Sequence, residues 1–168
     1  MLKELTFSVI IPTHNRADIL LKTLESLKNQ DLSRDDFEVI VVNDGSTDDT
    51  EDKVTNFMKE NAQLHLHYFC QINCGQGIAR NLGISKTKGR IIVLIGDDII
   101  LDKDFLNQHL IAHEEHRSGN HAVLGLIKWH SDLHITPFMN WLTNGSSIFG
   151  KFGGHQFAYD LLEGRKEA

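Results

Sequence analysis

Arg90-Ile91-Ile92-Val93-Leu94-Ile95-Gly96-Asp97-Asp98 carries an unbroken aliphatic run, Ile91 to Ile95, followed by a glycine and a pair of acids, and Arg90–Ile95 is the strand-length segment. A run of this length, rich in Ile and Val, reads as a strand covered on both faces, as strands of parallel sheets are. It is far shorter than the ~18–20 apolar residues that a membrane helix requires. Working outward, the same pattern appears at Phe7–Ile11 and Phe37–Val42. Leu64–Phe69 alternates instead, with His65 and His67 between apolar neighbours, and reads as an edge strand.

Helical spacing fills the intervals. Ile19, Leu20, Thr23, Leu24 and Leu27 recur at steps of three and four, as do Val54, Phe57 and Met58. Ile78, Ala79, Leu82 and Ile84 mark a third helix, which Gly83 should weaken near its end, and Phe105, Leu106, His109, Leu110 and His113 mark a fourth from about Asp102 to Arg117. Ala122–Ile127 reads as a fifth strand. This β-α alternation predicts an α/β fold. It is a three-layer, Rossmann-like, mostly parallel sheet in the order 3-2-1-4, with helices on both faces. Thr136–Leu142 reads as a short amphipathic helix started by Pro137, and the glycine-broken stretch Gly145–Ala168 should be mobile or loosely packed.

The chain has 168 residues, 40% hydrophobic and 24% charged, which suits one soluble domain and excludes a disordered or low-complexity chain. Its net charge of −6 argues against nucleic acid as a partner. Cys70 and Cys74 are too few for a disulfide scaffold, and their C-x-x-x-C spacing is not the redox motif. Free thiols in a reducing, cytoplasmic compartment are expected.

In open α/β sheets, ligands bind outside the carboxyl ends of the strands. The segments there are Pro12-Thr13-His14-Asn15-Arg16, Asn43-Asp44-Gly45-Ser46-Thr47, Asn73-Cys74-Gly75-Gln76-Gly77 and Gly96-Asp97-Asp98. Adjacent carboxylates at Asp97 and Asp98 can hold Mg²⁺ or Mn²⁺, which prefer oxygen ligands and leave positions open for phosphates. They could equally form a turn or lead into a helix. Asp44-Gly45 makes a turn, Ser46 and Asp49 fit a capping box for the next helix, and Asp44 is left to accept hydrogen bonds from a nucleobase or ribose. An EF-hand is excluded because Asp49 occupies the required glycine position. A dinucleotide fingerprint fails because Arg80 stands at the third glycine of Gly75-Gln76-Gly77. Arg80 could reach an anionic ligand, or pair with Asp44 or Asp97. His109, His113 and His116 share a helical face, read here as packing in preference to zinc.

The segments SVIIPTHNR (8–16), VIVVNDGSTDDT (39–50), GIARNLGI (77–84) and IIVLIGDDI (91–99) together resemble family 2 glycosyltransferases of the GT-A fold. The resemblance implies a nucleotide-diphosphate-sugar donor, a UDP-sugar above all, a divalent Mg²⁺ or Mn²⁺, and transfer to an acceptor hydroxyl with inversion. It implies that Pro12, Thr13, Asn15 and Arg16 line the base and pyrophosphate. Asp44, with Gly45, would hold the base, and Arg80 the nucleotide. Asp97 and Asp98 would form a D-x-D-type motif with Asp98 as metal ligand. Position 96 is glycine where the family often has a third acid.

By the same resemblance, residues 1–130 are a nucleotide-sugar-binding core and 131–168 the incomplete start of an acceptor-side region. The acceptor would be a glycan or a lipid-linked molecule, the latter bringing peripheral contact with the inner face of a membrane. An inverting transfer needs a general base. The residues assign none; Asp132 and Asp160 are the candidates. Two other readings stand beside this one. One is a truncated, non-catalytic nucleotide-sugar-binding module. The other is a nucleotidyltransferase, which would favour a glycine-rich basic loop that residues 13–16 lack.

Overall fold

The computed structural model describes residues 5–116 and 121–144. The chain forms two compact units, Met1–Gln108 and His109–Ala168. The first holds a four-stranded sheet in the order β3-β2-β1-β4, with every pairing parallel. Its strands are β1 (Phe7–Thr13), β2 (Phe37–Asp44), β3 (Leu66–Gln71) and β4 (Ile91–Leu94). Its helices are α1 (Ala17–Lys28), α2 (Thr50–Glu60) and α3 (Gln76–Ile84). Helix α4 (Phe105–Glu115) begins in the first unit and ends in the second, which also contains α5 (Pro137–Asn144).

Every residue of β1 and β2 is buried. Successive strand side chains alternate between faces, so both faces of the sheet centre are covered. On one face Ile10, Ile40 and Val42 pack with Ala79 of α3, joined by Phe69 and Leu82. Val9, Ile11, Val39 and Val41 point the other way and are fully buried, as are Leu20, Leu24 and Leu27 of α1 and Val54 of α2.

The strand order and the edge position of β3 agree with the sequence reading, one detail extends it and four differ from it. Gly83 does not merely weaken α3. A Cβ there would lie 2.5 Å from Ile10 Cγ2, so the missing side chain lets the helix approach β1. β4 is not covered on both faces: Ile91 and Val93 are buried, but Ile92 and Leu94 are 42% and 50% exposed. They share a face with Ile10, and α3 packs on β1 and β2 without reaching the outer strand.

Ala122–Ile127 is no strand. It finds no ladder partner among the described residues, and Leu124, Leu126 and Ile127 are exposed. Helix α4 starts at Phe105, after a turn in which Asp102 O accepts from the Phe105 amide. Arg117, its expected end, lies outside the described residues, as does Gly145–Ala168 with Asp160. Ser46 does not cap α2: the N-cap is Asp49, without a side-chain cap bond, and just before it Asp48 Oδ1 accepts from the Thr50 amide at 3.1 Å.

Two expectations hold locally. Pro137 opens α5, preceded by Thr136, whose Oγ1 accepts from the Met139 amide at 3.2 Å. Cys70 and Cys74 are free and exposed. No helix among the described residues is long and apolar enough to cross a membrane.

Candidate nucleotide-binding site

The carboxyl ends of the parallel strands deliver their following loops to one edge, and there an open cleft of about 160 Å³ is lined by Pro12, Thr13, His14, Arg16, Asp44, Gln76 and Asp97. Thr13 and Asp44 are the last residues of the two central strands, so the sheet fixes their backbones.

Asp44 is buried and fully engaged. Its Oδ1 accepts from Gln71 Nε2 at 2.7 Å and from the Cys74 amide at 2.9 Å, and its Oδ2 accepts from the Gly75 amide at 2.8 Å. Burial alone would raise the carboxyl pKa. The hydrogen bonds from Cys74, Gln71 and Gly75 outweigh it and hold the group below the ordinary aspartate value. Asp44 therefore clamps the loop that opens α3. Gly45 serves the same close approach: at φ +70° it lies where a Cβ would sit 2.6 Å from the Asn73 amide nitrogen.

The first loop is locked to the second in the same manner. Asn15 has a left-handed backbone, φ +54°. Its Oδ1 accepts from the Thr47 amide at 2.7 Å and the Asp48 amide at 3.3 Å, while its own amide donates to Ser46 Oγ at 2.9 Å. Ser46 thus ties the two loops together, while α2 begins only at Thr50. His14 Nδ1 lies 2.8 Å from the Asp44 carbonyl oxygen, and Asn73 Nδ2 lies 3.2 Å from its Nε2. These partners assign the proton to Nδ1, leaving Nε2 as acceptor.

Asp97 and Asp98 differ sharply. The Asp97 side chain is 7% exposed and accepts from Thr13 Oγ1 at 2.8 Å and from Arg16 Nη1 at 2.9 Å. Its backbone carbonyl is held by Thr23 Oγ1 of α1 at 2.7 Å. The Asp98 side chain is 48% exposed and, among the described residues, accepts only from Arg16 Nη2, at 3.1 Å. Gly96 leaves the space: a Cβ there would meet Asp98 Oδ1 at 2.8 Å.

This donor set fits a hard divalent cation. It is all oxygen, and Mg²⁺ is commonly held by one or two carboxylates plus substrate phosphates and waters. Among the described residues no cluster of three or more His, Cys, Asp or Glu could hold a metal. The remaining ligands would have to come from a bound diphosphate and water.

The sequence profile of glycosyl transferase family 2 matches residues 8–144. The chain belongs to that family. An uncharacterized glycosyltransferase of Rickettsia bellii is 37% identical over 115 residues, which is 68% of this chain and 16% of that protein. The crystal structure of Staphylococcus aureus TarS 1–349 in complex with UDP-GlcNAc superposes with a TM-score of 0.61 at 31% identity, covering 67% of this chain and 32% of that one. A mannosyltransferase from Pyrobaculum calidifontis, in complex with GDP-Man and Mn²⁺, superposes with a TM-score of 0.61 at 28% identity, covering 64% and 32% of the two chains. The four-stranded parallel sheet is thus that of the GT-A glycosyltransferases. The chain spans about a sixth of its Rickettsia relative and about a third of these solved chains.

Of the family-implied residues, the cleft brings together Pro12, Thr13, Arg16, Asp44 and Asp97. Asn15, Gly45, Arg80 and Asp98 are not among its lining residues. Asn15 and Gly45 shape the loops instead. The Arg80 side chain makes no hydrogen bond or ion pair among the described residues, so it pairs with neither Asp44 nor Asp97. His14, Asn73 and Gln76 fall within the strand-end segments read from sequence without a role of their own, and Gln71 lies outside those segments. Their signal is position alone: each lies at or just after the end of a strand.

Asp132 lies in the second unit, 84% exposed, beside Ser131 Oγ at 3.2 Å and His130 Nδ1 at 3.6 Å. In the same unit the His113 and His121 rings lie 4.7 Å apart and the His116 and His121 rings 5.7 Å apart, and His109 is buried. Burial, then the nearby His113, holds His109 below its ordinary pKa.

Proposed function

We propose that the chain is the donor-binding part of a metal-dependent, inverting glycosyltransferase that moves a sugar from a UDP-sugar to an acceptor hydroxyl. The observation that supports this best is the convergence of loops from β1, β2 and β3 with Asp97 on one cleft at the carboxyl edge of the sheet. That edge is where α/β folds bind nucleotides. Relatives solved with UDP-GlcNAc and with GDP-Man and Mn²⁺ support the same donor class.

The roles follow from the side chains. Pro12 and Thr13 form the cleft wall at the end of a strand buried along its whole length. Asp44 holds the third loop in place and presents the base side of the cleft. Arg16 and Arg80 supply positive charge for the pyrophosphate and the nucleotide. Asp98 would hold the cation, with Asp97 behind it. When bound, Mg²⁺ or Mn²⁺ neutralises the charge developing on the diphosphate leaving group. The general base is open between Asp132 and Asp160. The proposed acceptor is a glycan or a lipid-linked molecule, and the proposed location is cytoplasmic, peripheral to the inner membrane face where the acceptor is lipid-linked.

Calorimetry of UDP with Mn²⁺ and with chelator tests the reading. Binding should be far tighter with Mn²⁺, and Asp98→Asn should remove that difference. Equal affinity in both conditions refutes the metal role. Donor hydrolysis or transfer by this chain separates an enzyme from a binding module.

A further inference from the structure

We infer that Arg16 is a resident countercation for the Asp97–Asp98 pair, and that its release from Asp98 makes divalent-cation binding depend on the nucleotide diphosphate. The inference rests on the metal reading of Asp98 given above. Its basis is an asymmetry in one ion-pair cluster. Arg16 donates Nη1 to Asp97 at 2.9 Å and Nη2 to Asp98 at 3.1 Å. The Asp97 end is buried and shared with Thr13. The Asp98 end is half exposed and has no other partner among the described residues. An exposed ion pair contributes little and breaks readily, whereas a buried, doubly bonded carboxylate does not give up its partner cheaply. Arg16 therefore has one anchored arm and one labile arm.

A cation approaching Asp98 meets this guanidinium. It must displace an existing charge-assisted bond, and it faces a like charge at close range. With the cleft empty of anions, Arg16 has nowhere better to go. A diphosphate changes the balance, because Arg16 lines the cleft and a guanidinium matches phosphate oxygens as well as it matches carboxylates. Moving the labile arm onto phosphate frees Asp98 for the metal. Metal and nucleotide then bind with positive coupling, and by linkage each raises the affinity for the other by the same factor.

The backbone role of position 16 is separable. Its carbonyl accepts from the Leu20 amide at 3.0 Å, a bond that any side chain leaves intact. Arg16→Gln therefore removes the countercation without removing the start of α1.

The test is Mn²⁺ binding without nucleotide, read by electron paramagnetic resonance of free Mn²⁺, in the wild-type chain, Arg16→Gln, Arg16→Lys and Asp98→Asn. UDP affinity is measured in parallel by calorimetry with and without Mn²⁺, with binding of Mn²⁺ to UDP in solution titrated separately. In the wild type, Mn²⁺ should tighten UDP binding by about fivefold or more, the low end of usual coupling. Arg16→Gln should bind Mn²⁺ alone at least about fivefold more tightly than wild type, and its coupling with UDP should shrink. Arg16→Lys reaches one carboxylate at a time and should also tighten Mn²⁺ binding, which keeps the test open if Arg16→Gln does not fold. Wild-type Mn²⁺ affinity or unchanged coupling in the folded Arg16 variants overturns the inference. If Asp98→Asn binds Mn²⁺ as wild type does, the metal reading of Asp98 itself has failed, which is a different result.

Discussion

Replacing Asp44 with Asn tests whether the cleft is held together by one buried carboxylate. The substitution keeps shape and removes charge. In the native chain the carboxylate accepts from Gln71 Nε2, the Cys74 amide and the Gly75 amide, at 2.7, 2.9 and 2.8 Å. An amide oxygen placed at Oδ1 would keep the first two as weaker, neutral bonds. The amide nitrogen at Oδ2 would face the Gly75 N–H, donor against donor. Weakening two charge-assisted bonds and orphaning one donor should cost about 2–4 kcal/mol, discounted at the low end because Gly75 is exposed to water. For a chain of this size that is a fall in Tm of about 5–15 °C. Far-UV circular dichroism in denaturant gives the free energy, and hydrogen exchange should show the amides of Cys74 and Gly75 losing protection first. The pH dependence supplies a second reading. The folded carboxyl lies below its unfolded value, so its contribution is full above the unfolded pKa of about 3.9 and is lost as pH falls through the folded pKa. The wild-type advantage over Asp44→Asn should therefore hold at pH 7 and close in that acid range. A variant within about 0.5 kcal/mol of wild type at pH 7 would refute the clamp.

Two glycine substitutions and one histidine provide further checks. A Cβ at Gly89 would lie 2.4 Å from the Phe7 carbonyl carbon and 2.6 Å from the Ser8 amide nitrogen. That is backbone of a central strand, so Gly89→Ala should cost about 3 kcal/mol or more. At Gly83 the obstacle is the Ile10 side chain, and alanine's helix propensity returns about 1 kcal/mol, so Gly83→Ala should cost only about 1–2 kcal/mol. Denaturant midpoints giving the reverse order would contradict the packing described for α3 and β1. His109 is held neutral by burial and by His113, so the unfolded chain takes up its proton first. Stability should fall as pH drops below about 6.5 and level off below the folded pKa. An imidazole NMR titration with its midpoint at or above about 6.5 would exclude this.

The sheet was legible because its central strands are apolar throughout. Phe37–Val42 and Phe7–Ile11 contain few residues that tolerate water on either face, and parallel order follows from the helices between them. What failed was coverage at the margin. Ile92 and Leu94 carry the same residue types as Ile10 and Ile40, yet α3 lies over β1 and β2 and leaves the outer strand open. Residue type reports that a side chain suits burial, and only packing decides whether a helix reaches it. Ala122–Ile127 fails for a related reason: a short apolar run suits a strand, but a strand exists only with a partner. At Gly83 propensity counts the helix alone and reports only a cost; the offsetting gain, the approach to Ile10, is a matter of packing.

The acids after the strands show where the site itself was legible and where it was not. Asp44, Asp97 and Asp98 look alike in sequence, each following an apolar strand at the edge where ligands bind. Their partners lie far along the chain: Arg16 is 81 residues from Asp97, and Asp44 is 30 residues from Cys74. No local pattern connects such positions, so residue chemistry could be read and its allocation could not. The fold spends Asp44 on backbone amides and Asp97 on Thr13 and Arg16. Asp98 alone keeps an oxygen, Oδ1, with no hydrogen-bond partner among the described residues, on a half-exposed side chain whose one bond is to a mobile type of group. A ligand cation competes least where a carboxylate is least committed. The difference between Asp98 and its neighbours thus comes from the partners the fold supplies, and Gly96, by omitting a side chain, keeps the space that Asp98 Oδ1 occupies.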